Sequence, residues 1–157
     1  MKKKQRVLSL LLSLVMVFSL LPAVSLTAMA ADDALAGSGT AADPYVIENA
    51  EDLAAINNNL SAYYMLNSDI SPESWTAAIG TSSSRFAGTL DGNGYTITLP
   101  EGTTVSLFGG LSGTVQNLRL VAEKMNLTGD YQGILVGKLN GIVKNCAIIG
   151  SLESDGK

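Results

Sequence analysis

The feature that most constrains the fold of this chain is a repeat in its last third. Residues 107–120 (LFGGLSGTVQNLRL) align with residues 135–148 (LVGKLNGIVKNCAI) at a shift of 28 residues. The identical pairs are Leu107/Leu135, Gly109/Gly137, Leu111/Leu139, Gly113/Gly141, Val115/Val143 and Asn117/Asn145. A unit this short buries its apolar face only when a neighbouring unit stacks on it, so the repeat predicts a solenoid.

The pattern within each unit predicts short parallel strands. Stacking at the strand spacing of about 4.8 Å puts Val115 on Val143, and each such pair forms one column of a core. Asn117 and Asn145 would form a ladder in which each amide bonds to the next, at a left-handed bend that asparagine tolerates. We interpret the repeated glycines as turn residues that adopt a positive φ. The repeat positions to which we assign a structural role are Gly109, Gly113, Asn117, Gly137, Gly141 and Asn145.

An earlier segment fits the same pattern with one small gap. The matches that define this third coil are Leu90 with Val115, Asn93 with Asn117, and Ile97 with Leu120. We therefore predict an all-β fold, a right-handed parallel β-helix with at least three coils. Residues 123–132 are polar and predict one protruding loop.

One short helix is predicted before these coils. Asn49 is a good N-cap, the acidic residues after it favour the positive end of the helix dipole, and Leu53, Ile56 and Leu60 recur at helical spacing. We expect this helix to cap the first coil, because an open end would expose apolar side chains and unpaired strand edges.

The first 30 residues predict a secretory signal peptide. A basic start is followed by an apolar run from Val7 to Leu21, which is shorter than the roughly 20 residues that a membrane span needs. Ala28 and Ala30 form a small-x-small cleavage site before Ala31. We expect residues 31–42 to be a flexible lead-in and residues 43–157 to be the β-helix domain. The mature protein would then be extracellular and not embedded in a membrane.

Charge and cysteine content exclude several function classes. All fourteen acidic residues but only six of the ten basic residues follow residue 30, so the mature chain carries a formal charge of −8. A nucleic-acid partner is not expected, since phosphate contacts need clustered Lys and Arg. Cys146 is the single cysteine and the chain has no histidine, so we interpret it as a core residue and not as a nucleophile.

The glycine-rich phrases of this chain resemble those of GLUG-motif surface proteins. The similarity covers residues 37–150, and it departs from the motif where Phe108 and Val136 stand at the third position. The phrases that carry it are Asp43-Pro44-Tyr45, the segment from Trp75 to Gly80, residues 86–94 (FAGTLDGNG), Leu107-Phe108-Gly109 and residues 133–137 (GILVG).

The resemblance implies a right-handed β-helix with an extracellular address and an adhesive or scaffolding role. Such repeats also occur in IgA-specific metallopeptidases and in many secreted or wall-attached bacterial proteins. We therefore expect a structural or adhesive module of a larger protein, without a cofactor or catalysis of its own. Its partners would be a host glycan or protein, or further repeats of the same protein. A glycan-active β-helix enzyme and the accessory region of a secreted metallopeptidase remain alternatives.

The candidate chemical groups are few. Asp91-Gly92-Asn93-Gly94 resembles the start of a calcium loop, but the later ligands are missing, so we interpret it as a tight turn. Asp69, Asp91 and Asp130 are the acids that a glycosidase would use, and we expect them to be solvated or to cap turns. Tyr131 is the expected ligand contact.

The last residues, 151–157 (SLESDGK), do not resemble the modified cap that ends most solenoids. We therefore expect the domain to be incomplete at this end, or the last coil to pair with another molecule.

Overall fold

The computed structural model describes residues 35–127 and 132–153 of the chain. Within those ranges the chain forms a parallel β-solenoid of about three full turns, with short additional strands at its start. The strands are β1 (Tyr45–Ile47), β2 (Tyr63–Leu66), β3 (Thr89–Asp91), β4 (Thr96–Leu99), β5 (Phe108–Leu111), β6 (Thr114–Gln116), β7 (Arg119–Met125), β8 (Val136–Leu139), β9 (Ile142–Lys144) and β10 (Ala147–Leu152). The predicted all-β parallel fold is confirmed.

The strands lie in three sheets that run along the solenoid. The first sheet has the order β1-β2-β3-β6-β9, the second β10-β7-β4 and the third β5-β8, and every strand pair is parallel. Strands β1, β2 and β3 all lie in the first sheet, and from β3 onward consecutive strands fall in different sheets, so each later coil contributes one strand to each side. The right-handed sense expected from the sequence is the one that parallel crossovers take in about 98% of cases.

The register of the coils follows the sequence repeat. Val115 pairs with Val143 across β6 and β9, and Ile148 pairs with Leu120 across β10 and β7. The gapped match is also correct, because Leu90 pairs with Val115 and Ile97 pairs with Leu120. The columns of like residues predicted from the sequence are confirmed.

The single helix of the described residues lies where the sequence predicts it. Helix α1 (Ala50–Ala55) continues into one turn of 3₁₀ helix (Ile56–Asn58), and its N-cap Asn49 accepts a hydrogen bond from the Asp52 N–H at 2.9 Å. Asp52 in turn accepts from the N–H of Glu48, the residue before the N-cap, at 2.9 Å, so a reciprocal pair of hydrogen bonds fixes the helix start. Leu53 and Ile56 are fully buried against the first coil.

The core contains an aromatic column that the repeat did not predict. The ring centroids of Tyr45, Tyr64, Phe86 and Phe108 follow one another at 5.6, 6.1 and 5.3 Å. These tilted contacts are within the range in which aromatic pairs stabilise one another. Burial raises the pKa of Tyr64 to about 12, with a smaller contribution from Tyr45, and the Tyr64 hydroxyl donates to the Asn59 carbonyl at 2.7 Å.

The described part of the lead-in differs from the flexible segment that we expected. The Val46 N–H donates to the Ala36 carbonyl at 2.8 Å, and the Tyr63 N–H donates to the Gly39 carbonyl at 2.9 Å. Gly37 has a φ of +94°, and a Cβ there would lie 2.1 Å from the Pro44 carbonyl oxygen. A glycine turn therefore folds the segment back onto β1, so from Leu35 onward it is part of the domain.

The predicted loop at residues 123–132 begins later than expected. Strand β7 continues to Met125, whose side chain is fully buried, and the Asn126 N–H donates to the Thr103 carbonyl at 3.0 Å. Glu123 and Lys124 are both exposed although they belong to this strand, because the strand is irregular at Lys124, which has a φ of +51°. Residues 128–131 are outside the described residues.

Candidate functional site

Polar side chains from three coils meet at the bend between the first and second sheets. Asp91 ends β3, Asn117 follows β6 and Asn145 follows β9. Asn145 Nδ2 donates to Asn117 Oδ1 at 2.7 Å, and Asn117 Nδ2 donates to Asp91 Oδ1 at 2.9 Å. We call this chain of three side chains the polar ladder, and it runs in one direction along the solenoid.

The bend requires a left-handed backbone, and asparagine supplies it. Asn93, Asn117 and Asn145 have φ values of +49°, +53° and +52°. Asparagine tolerates this region better than other residues with a Cβ. The predicted role of Asn117 and Asn145 at a left-handed bend is therefore confirmed.

The alignment of Asn93 with Asn117 does not extend to their side chains. The Asn117 amide bonds to Asp91, while Asn93 Nδ2 donates to the Leu66 carbonyl at 3.4 Å. The cause is the extra residue Gly92, which packs so closely that a Cβ on it would lie 2.6 Å from the Asn117 carbonyl oxygen. Asn93 keeps the left-handed backbone of the bend, but its side chain lies outside the polar ladder. The carboxylate of Asp91 accepts the hydrogen bond from Asn117 in its place.

Asp91 is held by several hydrogen bonds at once. It accepts from Gln116 Nε2 at 2.6 Å, from Asn117 Nδ2 at 2.9 Å and from the Asn93 N–H at 2.8 Å. Burial is the largest influence and raises the pKa of Asp91, but these hydrogen bonds together with the charge of Lys144 outweigh it. The pKa of this carboxyl is therefore held below its ordinary value.

The role of Gln116 was not predicted, although the sequence contains a signal for it. Leu90 aligns with Val115, and the next residues along, Asp91 and Gln116, are therefore neighbours in adjacent strands. An acid beside an amide in a parallel sheet predicts a hydrogen bond between them, because cross-strand neighbours lie within contact distance.

The repeated glycines serve a different purpose from the one predicted. The glycines with a positive φ in the described residues are Gly37, Gly39, Gly80, Gly94 and Gly102, none of which is a repeat position. Gly113 instead lies against the preceding coil, where an added Cβ would be 2.0 Å from the Gly88 carbonyl oxygen. A Cβ added to Gly141 would likewise be 2.2 Å from the Gly113 carbonyl oxygen. A Cβ on Gly109 would likewise be 2.6 Å from the Gly80 carbonyl oxygen, while Gly137 lies within β8. Gly109, Gly113 and Gly141 therefore permit close approach between coils.

An open groove of about 490 Å³ runs beside the polar ladder. Its lining combines amide side chains with one guanidinium and small apolar groups. The lining residues are Asn93, Gly94, Asn117, Leu118, Arg119, Asn145 and Ala147. Such a surface offers hydrogen-bond donors and acceptors, but the side chains of Asn117 and Asn145 already bond to each other.

The other predicted site residues have mainly structural positions or lie outside the described residues. Asp69 Oδ1 accepts from the Thr96 N–H at 2.7 Å, so this acid links two coils as the expected capping group. Cys146 is half-buried at the edge of the core, which is less complete burial than predicted. The cleavage-site residues Ala28, Ala30 and Ala31, together with Asp130 and the expected contact Tyr131, lie outside the described residues.

The described residues contain neither a metal-ligand cluster nor a membrane-spanning helix. Within residues 35–127 and 132–153, no three acidic or cysteine side chains come close enough together to hold a metal ion. In the same part of the chain, no helix combines the length and the apolar character that crossing a bilayer requires.

The fold and the polar ladder define a parallel β-solenoid protein, and two known proteins are similar to it in sequence. Halomucin from Haloquadratum walsbyi is 36% identical over 146 residues, which covers 76% of this chain and 2% of halomucin. A protein named as a Gly-rich membrane protein, from Evansella cellulosilytica, is 32% identical over 130 residues, which covers 71% of this chain and 15% of that protein. The chain thus spans a small part of the length of either relative. No protein-family model matches the chain, and no solved structure matches it significantly.

Proposed function

We propose that this chain is a structural module of a protein that acts at the cell surface or outside the cell. The observation that carries the proposal is the construction of the domain itself, in which stacked coils use their polar side chains to hold one another in register. Asp91 and Asp69, two of the three acids that a glycan-cleaving site would draw on, are both engaged in hydrogen bonds between coils. A scaffold uses carboxylates in this way.

Three further lines support the extracellular part of the proposal. The relatives are a halomucin and a Gly-rich membrane protein, and both names agree with a place at or beyond the membrane. The first 30 residues have the order of a secretory signal, with a basic start, an apolar run and Ala28-Met29-Ala30 before Ala31. The glycine-rich phrases that resemble GLUG-motif proteins agree with the same address. We assign the module to adhesion or spacing. If its role is adhesion, the partner is a host glycan or protein.

Export is tested by expressing the full chain in a bacterial host and separating cells from medium. We expect the protein in the medium or on the cell surface, with Ala31 as its first residue by N-terminal sequencing. The matched control replaces Leu11 and Leu12 with Arg, which interrupts the apolar run, and should keep the protein inside the cell. Wild-type protein that stays in the cytoplasm with Met1 at its start would contradict the proposal.

The absence of catalysis is tested separately on the exported protein. Pectin and alginate are incubated with it, and new chain ends are measured as reducing sugars or as unsaturated products. We expect no release above that of a boiled sample. Release that disappears in an Asp91→Asn variant, which circular dichroism shows to be folded at the assay temperature, would instead support the glycan-active alternative.

A further inference from the structure

The coil formed by β8, β9 and β10, which we call the open coil, exposes side chains at positions that are buried in the coil before it. Leu139 is 51% exposed, whereas its partner Leu111 is fully buried. Ile148 is 45% exposed, whereas its partner Leu120 is fully buried. Leu111 and Leu120 are buried because the open coil covers them, whereas no described coil covers Leu139 and Ile148. Leu152 is 58% exposed, whereas its partner Met125 is fully buried, so the open coil presents an apolar surface.

The two ends of the solenoid are built differently. Each of the three sheets has a strand of the open coil at its edge, namely β8, β9 or β10. At the opposite end, the Val46 N–H of β1 is bonded to Ala36 and helix α1 packs Leu53 into the core. A second copy of this chain therefore has no matching open end with which to continue the stack in the same direction.

The polar ladder ends on the open coil with a free acceptor. Each step of the ladder donates an N–H toward the earlier coil, from Asn145 to Asn117 and from Asn117 to Asp91. Asn145 Oδ1 accepts no hydrogen bond from the described part of the chain, in contrast to Asn117 Oδ1. A group that continues the ladder must therefore donate an N–H to Asn145.

The glycine column sets a second requirement. Gly88, Gly113 and Gly141 occupy one position in successive coils, and a Cβ on any of them would lie within 2.2 Å of a carbonyl oxygen in the coil before. These coils approach too closely at this position for any side chain. A coil that packs on the open coil in the same way needs glycine over Gly141.

We propose that the open coil is a docking surface for one further parallel coil of the same repeat type. That coil carries glycine over Gly141 and a side-chain N–H donor, asparagine in this repeat, over Asn145. The contact continues the coil-on-coil interface that already joins β3, β6 and β9. It does not depend on whether the module is extracellular.

The test extends the full chain by a copy of residues 130–153, placed directly after Lys157. This placement keeps the 28-residue spacing that separates Asn117 from Asn145, so the copied asparagine falls over Asn145. Hydrogen exchange of the amides in β9 and β10 is then compared between the natural and the extended chain. We expect these amides to exchange about tenfold more slowly when a coil covers them. Unchanged exchange in β9 and β10, while β2 and β3 stay protected as a sign of an intact fold, overturns the proposal.

Two variants of the added unit test the chemistry of the contact. Replacing the copied asparagine with aspartate removes the N–H donor, and replacing the glycine copied from position 141 with valine blocks the close approach. We expect both variants to lose the added protection, and equal protection by either of them overturns the corresponding requirement.

Sedimentation of the natural chain tests the competing occupant. We expect a monomer. A dimer that a Leu139→Lys variant abolishes would mean that a second copy covers the open coil, and would overturn the proposal.

Discussion

Asn145 Nδ2 donates to Asn117 Oδ1 at 2.7 Å, and these two residues are 28 positions apart in the sequence. They occupy the same position in successive coils, and their φ values differ by 1° (+53° and +52°). Because the side-chain bond forms only when the two bends lie over each other, it ties the register of one coil to that of the next. The same direction of donation continues from Asn117 to Asp91.

The first prediction concerns the two asparagines of the ladder. Asn117→Ala should lower the free energy of unfolding by about 2–4 kcal/mol, because it leaves Asp91 and Asn145 without their partner and puts alanine in a left-handed backbone. Asn145→Ala should cost less, about 1–2 kcal/mol, since Asn145 is exposed and makes one ladder bond. Urea denaturation followed by circular dichroism measures both.

The control for this comparison is Asn117→Gly, which keeps the left-handed backbone but removes the amide. It should be intermediate between the wild type and Asn117→Ala. If Asn117→Gly is as stable as the wild type, the ladder contributes nothing to the free energy of unfolding. The left-handed bend alone would then account for asparagine at position 117.

The second prediction separates the two uses of glycine. Gly113→Ala should destabilise by more than about 3 kcal/mol, or prevent folding, because the new Cβ would lie 2.0 Å from the Gly88 carbonyl oxygen. Gly94→Ala should cost only about 1–2 kcal/mol, since its φ is +84° but nothing lies within 4 Å of the new Cβ. Thermal melting of both variants gives the ranking, and the reverse order would refute close coil approach as the reason for Gly113.

The third prediction concerns acid. The pKa of Asp91 is lower in the folded protein than its ordinary value of 3.8, so the ionised group stabilises the fold above that value. This contribution should be lost as the pH falls below about 3.8 and through the folded pKa. Melting temperatures of the wild type and Asp91→Asn between pH 6 and pH 2 test it.

The expected result is a difference between the two proteins that is constant near neutrality and shrinks in acid. A difference that stays the same down to pH 2 would mean that the charge of Asp91 does not contribute to stability.

The fourth prediction concerns the aromatic column. Phe86 is fully buried between Tyr64 and Phe108, so Phe86→Ala should cost about 3–5 kcal/mol through lost burial and the cavity it leaves. Tyr63→Ala is the matched control on the neighbouring strand, because Tyr63 is 40% exposed. It should cost about 1 kcal/mol or less. Similar losses for both would argue against the column as a centre of the core.

The repeat predicted the coil register because identical residues at a fixed spacing can stack in only one way. Val115 over Val143 and Leu120 over Ile148 follow directly from that alignment. The helix was also predictable, since its N-cap Asn49 and its apolar spacing are local signals.

The aromatic column was not predictable in the same way. Tyr45, Tyr64, Phe86 and Phe108 are separated by loops of unequal length, and the first two lie on strands that lack the repeat phrase. Only the three-dimensional path of the loops brings the rings together.

Two features of the candidate site also required coordinates. The glycine column depends on distances between backbones of different coils, which composition does not reveal; positive φ was therefore the natural but mistaken explanation for Gly113 and Gly141. Likewise, the alignment of Asn93 with Asn117 was right for the backbone and wrong for the side chain. The extra Gly92 changed which side chain lies in the ladder.

The most direct test of stacked coils is a disulfide between neighbouring coils. Thr114 and Ile142 are directly paired across β6 and β9, and strands at about 4.8 Å suit the Cα separation of a disulfide. In a Cys146→Ser background, Thr114→Cys with Ile142→Cys should oxidise to one intramolecular bond, detected by thiol alkylation and mass spectrometry. Thr114→Cys with Val143→Cys should not, because adjacent residues of a strand point to opposite faces. Equal cross-linking of the two pairs, or none in the first, would contradict the solenoid.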